Sequence, residues 1–528
     1  MISNSMSKPV GTSDQQWALF CAAADGDLPA VKRLVQTDPE LMHHQIWYEF
    51  PIHFAVRERL SDVVQYLLEA GSNPARSNFT YSSWQSLLPL AKERRRDDIH
   101  ELLVGEMRKR FNYSVDYKPV WDAIKANDVD ELTKLFATNP RLVHIGDEHG
   151  NRAIHWAILC RRIPVIQMLL DAGADINAKR ADLQTPLHIS VVGDYWYRKQ
   201  AAVDPDTSSE DVTDFLLANG ADYEFCVAVY RGDIDCVHSM LEASPELATQ
   251  LNESQRSPLG YAAGAGHLEI VRLLLESGAD PNLPEVCAGA GKALFHASGR
   301  NDIEMMQLLI DHGASANGCV DSCGNCLSIA DQGGERAEEA IQLLRKHGAQ
   351  DGQWTLDSAE KIQARLDDPA RIDPDGDLWS GIINSVVSLD QVDLLHRFVD
   401  RFGADPVVRL NPANGWRMPK SKEMLKALLH HGMNINARDW YGRTFLHHAC
   451  IGDSTELAGW LIDHEIAIDA IDHQSHATAL GLAARAGNPE SVECLLERGK
   501  PQSSSGCRLG SADHLCTEPE SSGRRGDT

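Results

Sequence analysis

The sequence lacks any long hydrophobic run and any excess of positive charge. No run of about 18 apolar residues occurs, so the pattern predicts no membrane-spanning helix. Residues 1–14 are polar and contain no hydrophobic signal core, which favours a soluble, cytoplasmic protein. The chain carries 76 acidic and 50 basic residues, a formal net charge of −26. Such a field repels phosphate backbones and anionic membranes, so we expect neither nucleic acid nor membrane as a partner.

Sequence signatures of catalysis are also missing. The chain contains no zinc-protease helix motif, no nucleophile elbow and no kinase signature. We therefore expect no enzyme activity that depends on a local motif, and no cofactor. A site assembled from distant residues is left open by this argument.

The twelve cysteines do not have the spacing of a disulfide framework. Half of them fall on helix faces of separate repeats, as small buried hydrophobic residues would. Cys319, Cys323 and Cys326 come closest to the spacing of a zinc site, but they lack a clear fourth ligand. His296 and His312 are the candidates for that position. We favour a structural interpretation and expect no metal.

What the sequence does contain is a recurring pair of short helices, best seen from Ser257 to Asn282. Ser257 can cap the first helix, and Pro258 suits its first turn because no backbone donor is lost there. The second helix carries aliphatic residues at helical spacing, and Gly278 can take the left-handed conformation that ends it. Neither helix is long enough to be stable alone, so the pair must stack on similar pairs.

The same pattern recurs along the chain in one register. Gly278 lies 21 residues after Ser257. The same spacing separates Phe50 from Gly71, Arg152 from Gly173, Lys292 from Gly313 and Thr478 from Gly499. Residues 185–188 read Thr-Pro-Leu-His, the motif that opens the first helix of ankyrin repeats. The chain thus resembles ankyrin-repeat proteins from about Trp17 to Gly499. The resemblance implies an all-α fold, an ankyrin-repeat solenoid of stacked helix-turn-helix units with finger loops, in one block or two.

Three repeats end differently from the others. At the position of the closing glycine they carry a polar residue followed by Pro39, Pro140 or Pro245. Proline cannot continue a helix, so it is predicted to stop the second helix in place of a glycine cap. We interpret these as a second type of repeat, called here the proline-type repeat.

Composition and repeat spacing divide the chain into five parts. We expect a disordered N-terminus at 1–14, a first block of about ten repeats at 15–352 with an insertion at 193–210, a linker or extra helix at 353–376, a second block of about four repeats at 377–499, and a disordered tail at 500–528. The sequence leaves open whether 353–376 is a hinge between two arrays or a helix packed against one of them.

Histidines recur at or beside the fourth position of the Thr-Pro-Leu-His motif, at His53, His155, His188 and His447. The ankyrin resemblance implies that these rings hydrogen-bond neighbouring backbone. A metal site would need several rings to converge, whereas stacked helices hold them about 10 Å apart. We therefore interpret the histidines as structural.

Aromatic residues at the predicted fingertips are the candidate partner-binding residues. Large aromatic side chains exposed at a tip anchor interfaces well. The alternative is that they fold back onto the next finger. The insertion after Val192 adds three more aromatic residues, and insertions of this kind often carry function. The candidates are Trp47, Tyr48, Trp84, Tyr195, Trp196, Tyr197, Trp440 and Tyr441.

The resemblance specifies a fold more than a function, because one scaffold binds many unrelated partners. Our first hypothesis is a monomeric, cytoplasmic, non-catalytic scaffold that binds a protein partner on the concave face of fingers and inner helices. The second is an enzyme or ligand sensor with a pocket in the irregular region 348–411. A third, an effector acting inside a host cell, shares every sequence feature of the first.

Overall fold

The structure is a computed structural model that describes most of the chain. The described ranges are 13–45, 49–75, 87–193, 203–285, 288–320, 324–332, 336–350, 356–367, 378–408, 419, 421–439, 441–452, 454–473 and 475–498. The predicted disordered tail, 500–528, lies outside them.

The described chain is built from pairs of short helices in two compact units, which divide just before Leu356. The helices of the first unit are α1 Asp14–Asp25, α2 Leu28–Thr37, α3 Pro51–Arg57, α4 Ser61–Ala70, α5 Leu87–Glu93, α6 Asp97–Phe111, α7 Tyr117–Ala126, α8 Val129–Thr138, α9 Ala153–Leu159, α10 Ile163–Asp171, α11 Pro186–Val192, α12 Ser209–Ala218, α13 Phe225–Arg231, α14 Ile234–Ala243, α15 Pro258–Ala265, α16 Leu268–Glu276, α17 Ala293–Gly299, α18 Ile303–Asp311, α19 Cys326–Ala330 and α20 Ala337–Lys346. Those of the second unit are α21 Ala359–Asp367, α22 Leu378–Ser388, α23 Val392–Phe402, α24 Asp405–Val408, α25 Lys422–His430, α26 Phe445–Ile451, α27 Thr455–Asp463, α28 Ala479–Ala486 and α29 Pro489–Arg498.

The prediction of an all-α repeat fold is confirmed. Within the described ranges the strands are confined to one finger loop, where β1 (Cys319–Val320) and β2 (Gly324–Asn325) form a two-residue antiparallel hairpin. Everything else that is regular is helical, because each repeat buries its apolar surface between helices and uses its loops only to connect them.

The pair α15–α16 shows how the sequence produces one repeat. The Ser257 hydroxyl caps α15 by accepting a hydrogen bond from the Gly260 amide at 2.9 Å. Val271 and Leu274 of α16 are fully buried against the neighbouring pairs. Because α15 is rich in alanine and glycine, helices on both sides can approach it closely.

Each regular repeat ends in the same corner. Gly173, Gly278 and Gly313 have φ values of +89°, +90° and +90°. At Gly278 the amides of the glycine and the next residue donate to the carbonyls of Leu275 and Leu274, both at 3.0 Å. This is the left-handed helix ending predicted from the 21-residue spacing.

Asparagine side chains tie the corners at Gly313 and Gly348 to the repeat before each of them. Asn282 donates to the Gly313 carbonyl and accepts from the Ser315 amide, both at 2.8 Å. Asn317 repeats this arrangement one repeat later, donating to the Gly348 carbonyl at 3.1 Å. These bonds satisfy backbone groups at a helix end that would otherwise need water.

The proline-type repeats end in a short 3₁₀ helix. The three segments are Pro39–His43, Pro140–His144 and Pro245–Ala248. The residue before each proline is extended, with φ near −146°, −144° and −146°. The prediction that proline stops the second helix is therefore confirmed, and the 3₁₀ turn then returns a side chain to the core, as at Leu41.

The proline-type repeats also mark where the hydrophobic core divides. Among its described residues the first unit has three core clusters, spanning 19–111, 120–227 and 225–344, the first of which also includes Ala181. Each of the three begins with the first helix of a proline-type repeat. The second unit has one cluster, spanning 356–495.

The described part of the predicted linker 353–376 is a helix of the second unit. Ile362 and Leu366 of α21 are buried in the core of that unit. Asp367 at its end accepts a hydrogen bond from the Arg397 guanidinium at 2.9 Å. Helix α21, Ala359–Asp367, thus packs within the second unit.

Two predicted boundaries differ from the structure by one or two residues. Helix α1 begins at Asp14, inside the predicted disordered N-terminus 1–14, because the side chain of Ser13 caps it. Helix α12 begins at Ser209, inside the predicted insertion 193–210, because a serine with an acidic partner three residues later caps it as well. In both cases the cap signal is local and is readable in the sequence.

Two of the motif histidines, His155 and His447, bridge a first helix to the next finger. His155 accepts from the Arg152 amide at its Nδ1 and donates from Nε2 to the Ala178 carbonyl, both at 2.9 Å. His447 makes the same bridge between the Thr444 amide and the Ala477 carbonyl. Burial lowers the pKa of His155 to about 3 and that of His447 to about 4. Both rings are therefore neutral near pH 7, in agreement with the structural interpretation.

We expect substitution of a corner glycine to destabilise the fold through the backbone alone. A Cβ on Gly278 would meet no atom within 4 Å, yet φ is +90°. Gly278→Ala should lower the free energy of unfolding of the first unit by about 1 kcal/mol, measured by urea denaturation. Gly289→Ala is the matched control, because that position is equally open and has no positive φ. Equal effects of the two substitutions would contradict this explanation.

The buried histidines should make stability fall as the pH falls. The pKa of His155 is about 3 in the folded state and starts from a reference value of 6.5, so the unfolded chain takes up the proton first. Stability is therefore fully present above about pH 6.5 and is lost between pH 6.5 and 3, with a slope of up to about 1.4 kcal/mol per pH unit for this group. His155→Gln should flatten that slope in urea titrations at several pH values. His238→Gln, at an exposed histidine, should leave it unchanged, and identical slopes for both variants would refute the assignment.

Candidate partner-binding surface

Of the eight candidate fingertip aromatics, the structure describes Tyr441. The other seven, Trp47, Tyr48, Trp84, Tyr195, Trp196, Tyr197 and Trp440, lie outside the described residues. Tyr441 is only 7% exposed. Its carbonyl accepts from the His473 amide of the next finger, and the Arg443 guanidinium lies 5.0 Å from its ring centroid. The fold-back alternative describes Tyr441, so the expectation that this ring is an exposed anchor is wrong.

Five fingers turn at the residue three positions before the first residue of the next helix. All five residues have positive φ: Gly150 +73°, Leu183 +67°, Gln255 +58°, Gly442 +72° and His476 +47°. Glycine adopts this conformation without cost, whereas a leucine in it is strained by about 1–2 kcal/mol. Leu183 is also 40% exposed. It is therefore an apolar side chain held at a fingertip in an unfavourable backbone conformation.

The finger around Leu183 is held rigidly by a buried arginine. Arg180 donates to both carboxylate oxygens of Asp182, at 2.7 and 2.6 Å, and to the Gln184 side chain at 2.8 Å. The Leu183 amide donates to the Arg180 carbonyl at 2.9 Å. Burial alone would raise the pKa of Asp182, but the adjacent guanidinium outweighs it and the pKa is lowered. The carboxylate is thus ionised at neutral pH and fixes the turn.

This finger contacts another finger across a proline-type repeat. Lys179 forms an ion pair with Glu253 at 2.5 Å, and the Ser254 hydroxyl donates to the Asp182 carbonyl at 2.7 Å. The intervening loop, 221–224, is too short to form a finger of its own. We call residues 179–184 and 252–256 the paired fingertips. They are joined to each other through side chains, so Leu183 projects from a braced surface.

Below the paired fingertips, His188 departs from the backbone bridge made by His155 and His447. Its Nε2 lies 3.0 Å from the Tyr261 hydroxyl, and its Nδ1 lies 3.9 Å from the Glu224 carboxylate. Thr185 donates to Glu224 at 2.6 Å. Burial raises the pKa of Tyr261 to about 12, which keeps this hydroxyl protonated near pH 7. The cluster joins three repeats and has the properties of a structural network rather than a nucleophile with its base.

The sequence analysis missed an aromatic stack on the inner helices. Trp121 of α7 and Trp156 of α9 have ring centroids 3.8 Å apart. Phe20 and Phe54 form the corresponding pair in the first two repeats, with centroids 5.3 Å apart. Aligning the repeats on their first helices places Phe20 and Trp121 where other repeats carry the motif histidine. That alignment would have revealed that an aromatic residue replaces the motif histidine, because the replacement occurs in two proline-type repeats.

The described residues contain no group of three or more histidine, cysteine or acidic side chains placed to hold a metal ion. Cys326 is buried, and its thiol donates to the Gly318 carbonyl at 3.3 Å. Burial raises its pKa to about 12, whereas zinc binds the thiolate. Cys323 lies outside the described residues, and Cys319 is exposed.

The second hypothesis placed a pocket in the region 348–411. Within the described part of that region, aliphatic side chains such as Ile362, Val386 and Leu395 are fully buried in the core. His396 and His431 approach each other at 2.9 Å between α23 and the end of α25, but they form an inter-repeat contact. Among the described helices none combines the length and the apolar composition needed to cross a membrane.

Ankyrin-repeat models match five segments of the chain and together cover more than half of it. A model of three ankyrin-repeat copies matches residues 200–285 and 418–505. Models of many copies match 123–190 and 261–310, and a single-repeat model matches 49–79. The segments include repeats of both units and of both types.

Curated relatives share the repeats over part of their length. The chain is similar to the ankyrin repeat domain-containing protein SAT10 of Stachybotrys chartarum, with 25% identity over 239 residues, 44% of this chain and 11% of that protein. It is 27% identical to the nuclear factor NF-kappa-B p105 subunit of Gallus gallus over 171 residues, 30% of this chain and 17% of the relative. It is 38% identical to palmitoyltransferase ZDHHC17 of Danio rerio over 72 residues, 13% of this chain and 12% of the relative. The chain thus spans less than a fifth of each.

A solved structure, the human ASB11 ankyrin repeat domain, is 22% identical with a TM-score of 0.26, and the match covers 43% of this chain and 97% of that one. The helix pairs, the recurring corners and the five matched segments lead to one conclusion: this chain belongs to the ankyrin-repeat family.

Proposed function

We propose that the chain is a non-catalytic scaffold that binds a protein partner on the concave face of its fingers and inner helices. Ankyrin repeats form protein-interaction domains. The observation that carries the proposal for this chain is Leu183, an exposed and strained leucine on the paired fingertips.

Leu183 costs stability at a position where glycine would serve the turn. Gly150 and Gly442 make the same turn with φ values of +73° and +72°. Strained residues persist where surrounding contacts determine the backbone, and they concentrate at functional sites. An exposed apolar side chain on a braced loop is the kind of anchor that a partner covers. Partner binding thus explains both the strain and the exposure.

The state of the buried titratable groups supports a non-catalytic role. His155, with a pKa of about 3, and Tyr261, with a pKa of about 12, are far from the values that suit a general acid or base near pH 7. Both are hydrogen-bonded between repeats. His155 and Tyr261 therefore stabilise the stacking of repeats. The surface proposed for recognition is the exposed fingertips.

We further propose a cytoplasmic monomer with a protein partner and no nucleic-acid or membrane partner. Six of the described cysteines, Cys21, Cys160, Cys226, Cys236, Cys326 and Cys494, are free thiols, which fits a reducing compartment. The net charge of −26 argues against nucleic acid and anionic lipid. The seven aromatic candidates outside the described residues remain proposals: Trp47, Tyr48, Trp84, Tyr195, Trp196, Tyr197 and Trp440.

Replacement of Leu183 by glycine should separate binding from stability. We expect Leu183→Gly to keep its free energy of unfolding within about 1 kcal/mol of the parent chain, because relief of the left-handed conformation offsets the lost apolar contacts. The same variant should recover its partner from native cell extract several-fold less well, measured by quantitative affinity capture.

His476→Gly provides the matched control. His476 is an exposed fingertip residue of the second unit with φ of +47°, so the substitution makes the same backbone change elsewhere. Capture should be unaffected by this control. Undiminished capture by Leu183→Gly would remove Leu183 as an anchor, and a large loss of stability would identify it as a core residue instead.

A further inference from the structure

Two histidines of neighbouring repeats meet in the second unit. His396 lies on α23, and His431 directly follows the last residue of α25. The Nδ1 atom of His396 lies 2.9 Å from the Nε2 atom of His431, and the two ring centroids are 5.0 Å apart. Both residues are partly exposed, so water can exchange protons with the rings. We call these two residues the histidine pair, two titratable groups that share one hydrogen bond.

Histidines that follow the second helix in other repeats bond to their own helix instead. His312 follows α18, and its Nδ1 donates to the Leu308 carbonyl at 2.9 Å. His464 follows α27, and its Nδ1 donates to the Trp460 carbonyl at 2.8 Å. A carbonyl accepts a hydrogen bond from an imidazole whether that ring is neutral or protonated. These two contacts therefore tolerate acid, whereas a bond between two imidazoles requires that one of the facing nitrogens carry no proton.

The position of His396 holds a different residue in α18. The fifth residue of α18 is Gln307, whose side chain donates to Asp311 one turn later at 2.7 Å. The fifth residue of α23 is His396, and Asp400 follows it one turn later. Helix α23 thus keeps the acidic residue but carries an imidazole where the other helix has an amide. His396→Gln would restore the arrangement that α18 already has.

The groups that act on the histidine pair oppose a second positive charge in it. Burial lowers the pKa of His431 from its ordinary value, and the rings of His396 and His430 lower that pKa further, while Asp400 acts in the opposite direction. The ring centroids of His430 and His431 are 5.2 Å apart. Three imidazoles therefore lie near a single carboxylate, and the first proton is easier to accommodate than the second.

The helices packed around the pair contribute an apolar group and a charge that already has a partner. On the side of α24, Val408 lies so close to Gly432 that a Cβ on the glycine would be 3.1 Å from its methyl group. On the side of α21, Asp367 accepts a hydrogen bond from Arg397 of α23 at 2.9 Å.

The two ends of α25 are attached to the preceding repeat in different ways. At the N-terminal end the Ser421 hydroxyl donates to Asp390 at 2.7 Å. At the C-terminal end the polar attachment is the histidine pair. Between the two ends, Leu425 and Leu428 are buried in one core with Phe398 of α23. Proton uptake by the pair therefore acts on one end of the helix.

We propose that the histidine pair is a pH-sensitive contact that releases the C-terminal end of α25 from α23 on mild acidification. One proton added from solvent keeps the hydrogen bond, because an imidazolium still donates to a neutral ring. A second added proton removes the acceptor and places two positive charges at hydrogen-bond distance, where they repel. This inference goes beyond the proposed function and does not rest on it.

The direction of the pH dependence follows from the lowered pKa of His431. When the end of α25 is open, water surrounds both rings, and each takes up a proton near the ordinary pKa of about 6.5. In the closed contact the second proton binds only at a lower pH. A fall from about pH 7.5 to about pH 5 therefore favours the open form, and a return to the higher pH restores the contact.

Amide hydrogen exchange in the full-length chain tests the proposal, with rates expressed as protection factors so that the intrinsic pH dependence of exchange cancels. From about pH 7.5 to about pH 5, protection at 427–433 should fall about tenfold more in the parent chain than in His396→Gln. Amides at 421–425 are the internal reference, because they report the loss of protection that other groups cause, such as the buried His447. His431→Gln removes the other ring and should give the same result as His396→Gln.

His464→Gln is the matched control. His464 occupies the same place after α27 that His431 occupies after α25, and it bonds within its own helix. This substitution should leave the pH dependence at 427–433 unchanged. A second measurement follows the titration of His431 itself, by deuterium exchange at the ring carbon between its nitrogens with detection by mass spectrometry. His396→Gln should raise the pKa of His431, because it removes a neighbouring positive charge.

Three results would overturn the proposal. The first is the same pH course of protection at 427–433 in the parent chain and in both glutamine variants of the pair. The second is an equal fall at 421–425 and at 427–433 in the parent chain, because the whole helix would then open together. The third is an unchanged titration of His431 in His396→Gln, which would show that the two rings do not interact.

Discussion

Burial between neighbouring helix pairs is the interaction on which this fold depends. Most of the described first helices are about two turns long, too short to persist in water, and they carry apolar side chains towards both neighbours. Fully buried residues such as Val271 and Leu274 of α16 gain their stabilisation only when the adjacent pair is in place. The stability of a repeat is therefore a property of its contacts, and a pair with one open side is the weakest position in the stack.

Polar side chains turn this burial into a defined register. Apolar surfaces of similar shape can slide over one another, whereas a hydrogen bond to a particular carbonyl fixes one alignment. Asn282 and Asn317 bind the corner of the following repeat, and His155 binds the following finger. Two of the proline-type repeats replace part of this system. Phe20 meets the next aromatic ring edge to face, and Trp121 packs against the next ring at a tilt, where a histidine would bridge in other repeats.

The sequence predicted those features whose cause is local. Helix pairs, the corner at Gly278 and the ending at Pro39 depend on a few consecutive residues, and the structure has all three. The prediction was wrong at Tyr441, because its burial depends on contacts with the next finger that no local pattern encodes. Leu183 was missed for the opposite reason: leucine disfavours the left-handed conformation, so its propensity gave no sign of a fingertip turn.

The residues that pack between repeats lie in the helix pairs, whereas the fingertip residues lie in loops outside them. This separation explains how the fold tolerates a strained leucine at a fingertip. Leu183 lies outside the helix pairs, so its backbone energy is added locally and does not disturb burial between repeats. The hydrogen bonds of Arg180 and the Lys179–Glu253 ion pair fix the backbone of the finger, although leucine disfavours the left-handed conformation at its tip. That bracing exists because the proline-type repeat between the two fingers has no finger of its own. The proline-type repeat, which the sequence identifies by Pro245, thus creates a rigid fingertip surface. That surface can hold Leu183 exposed in spite of its unfavourable backbone conformation.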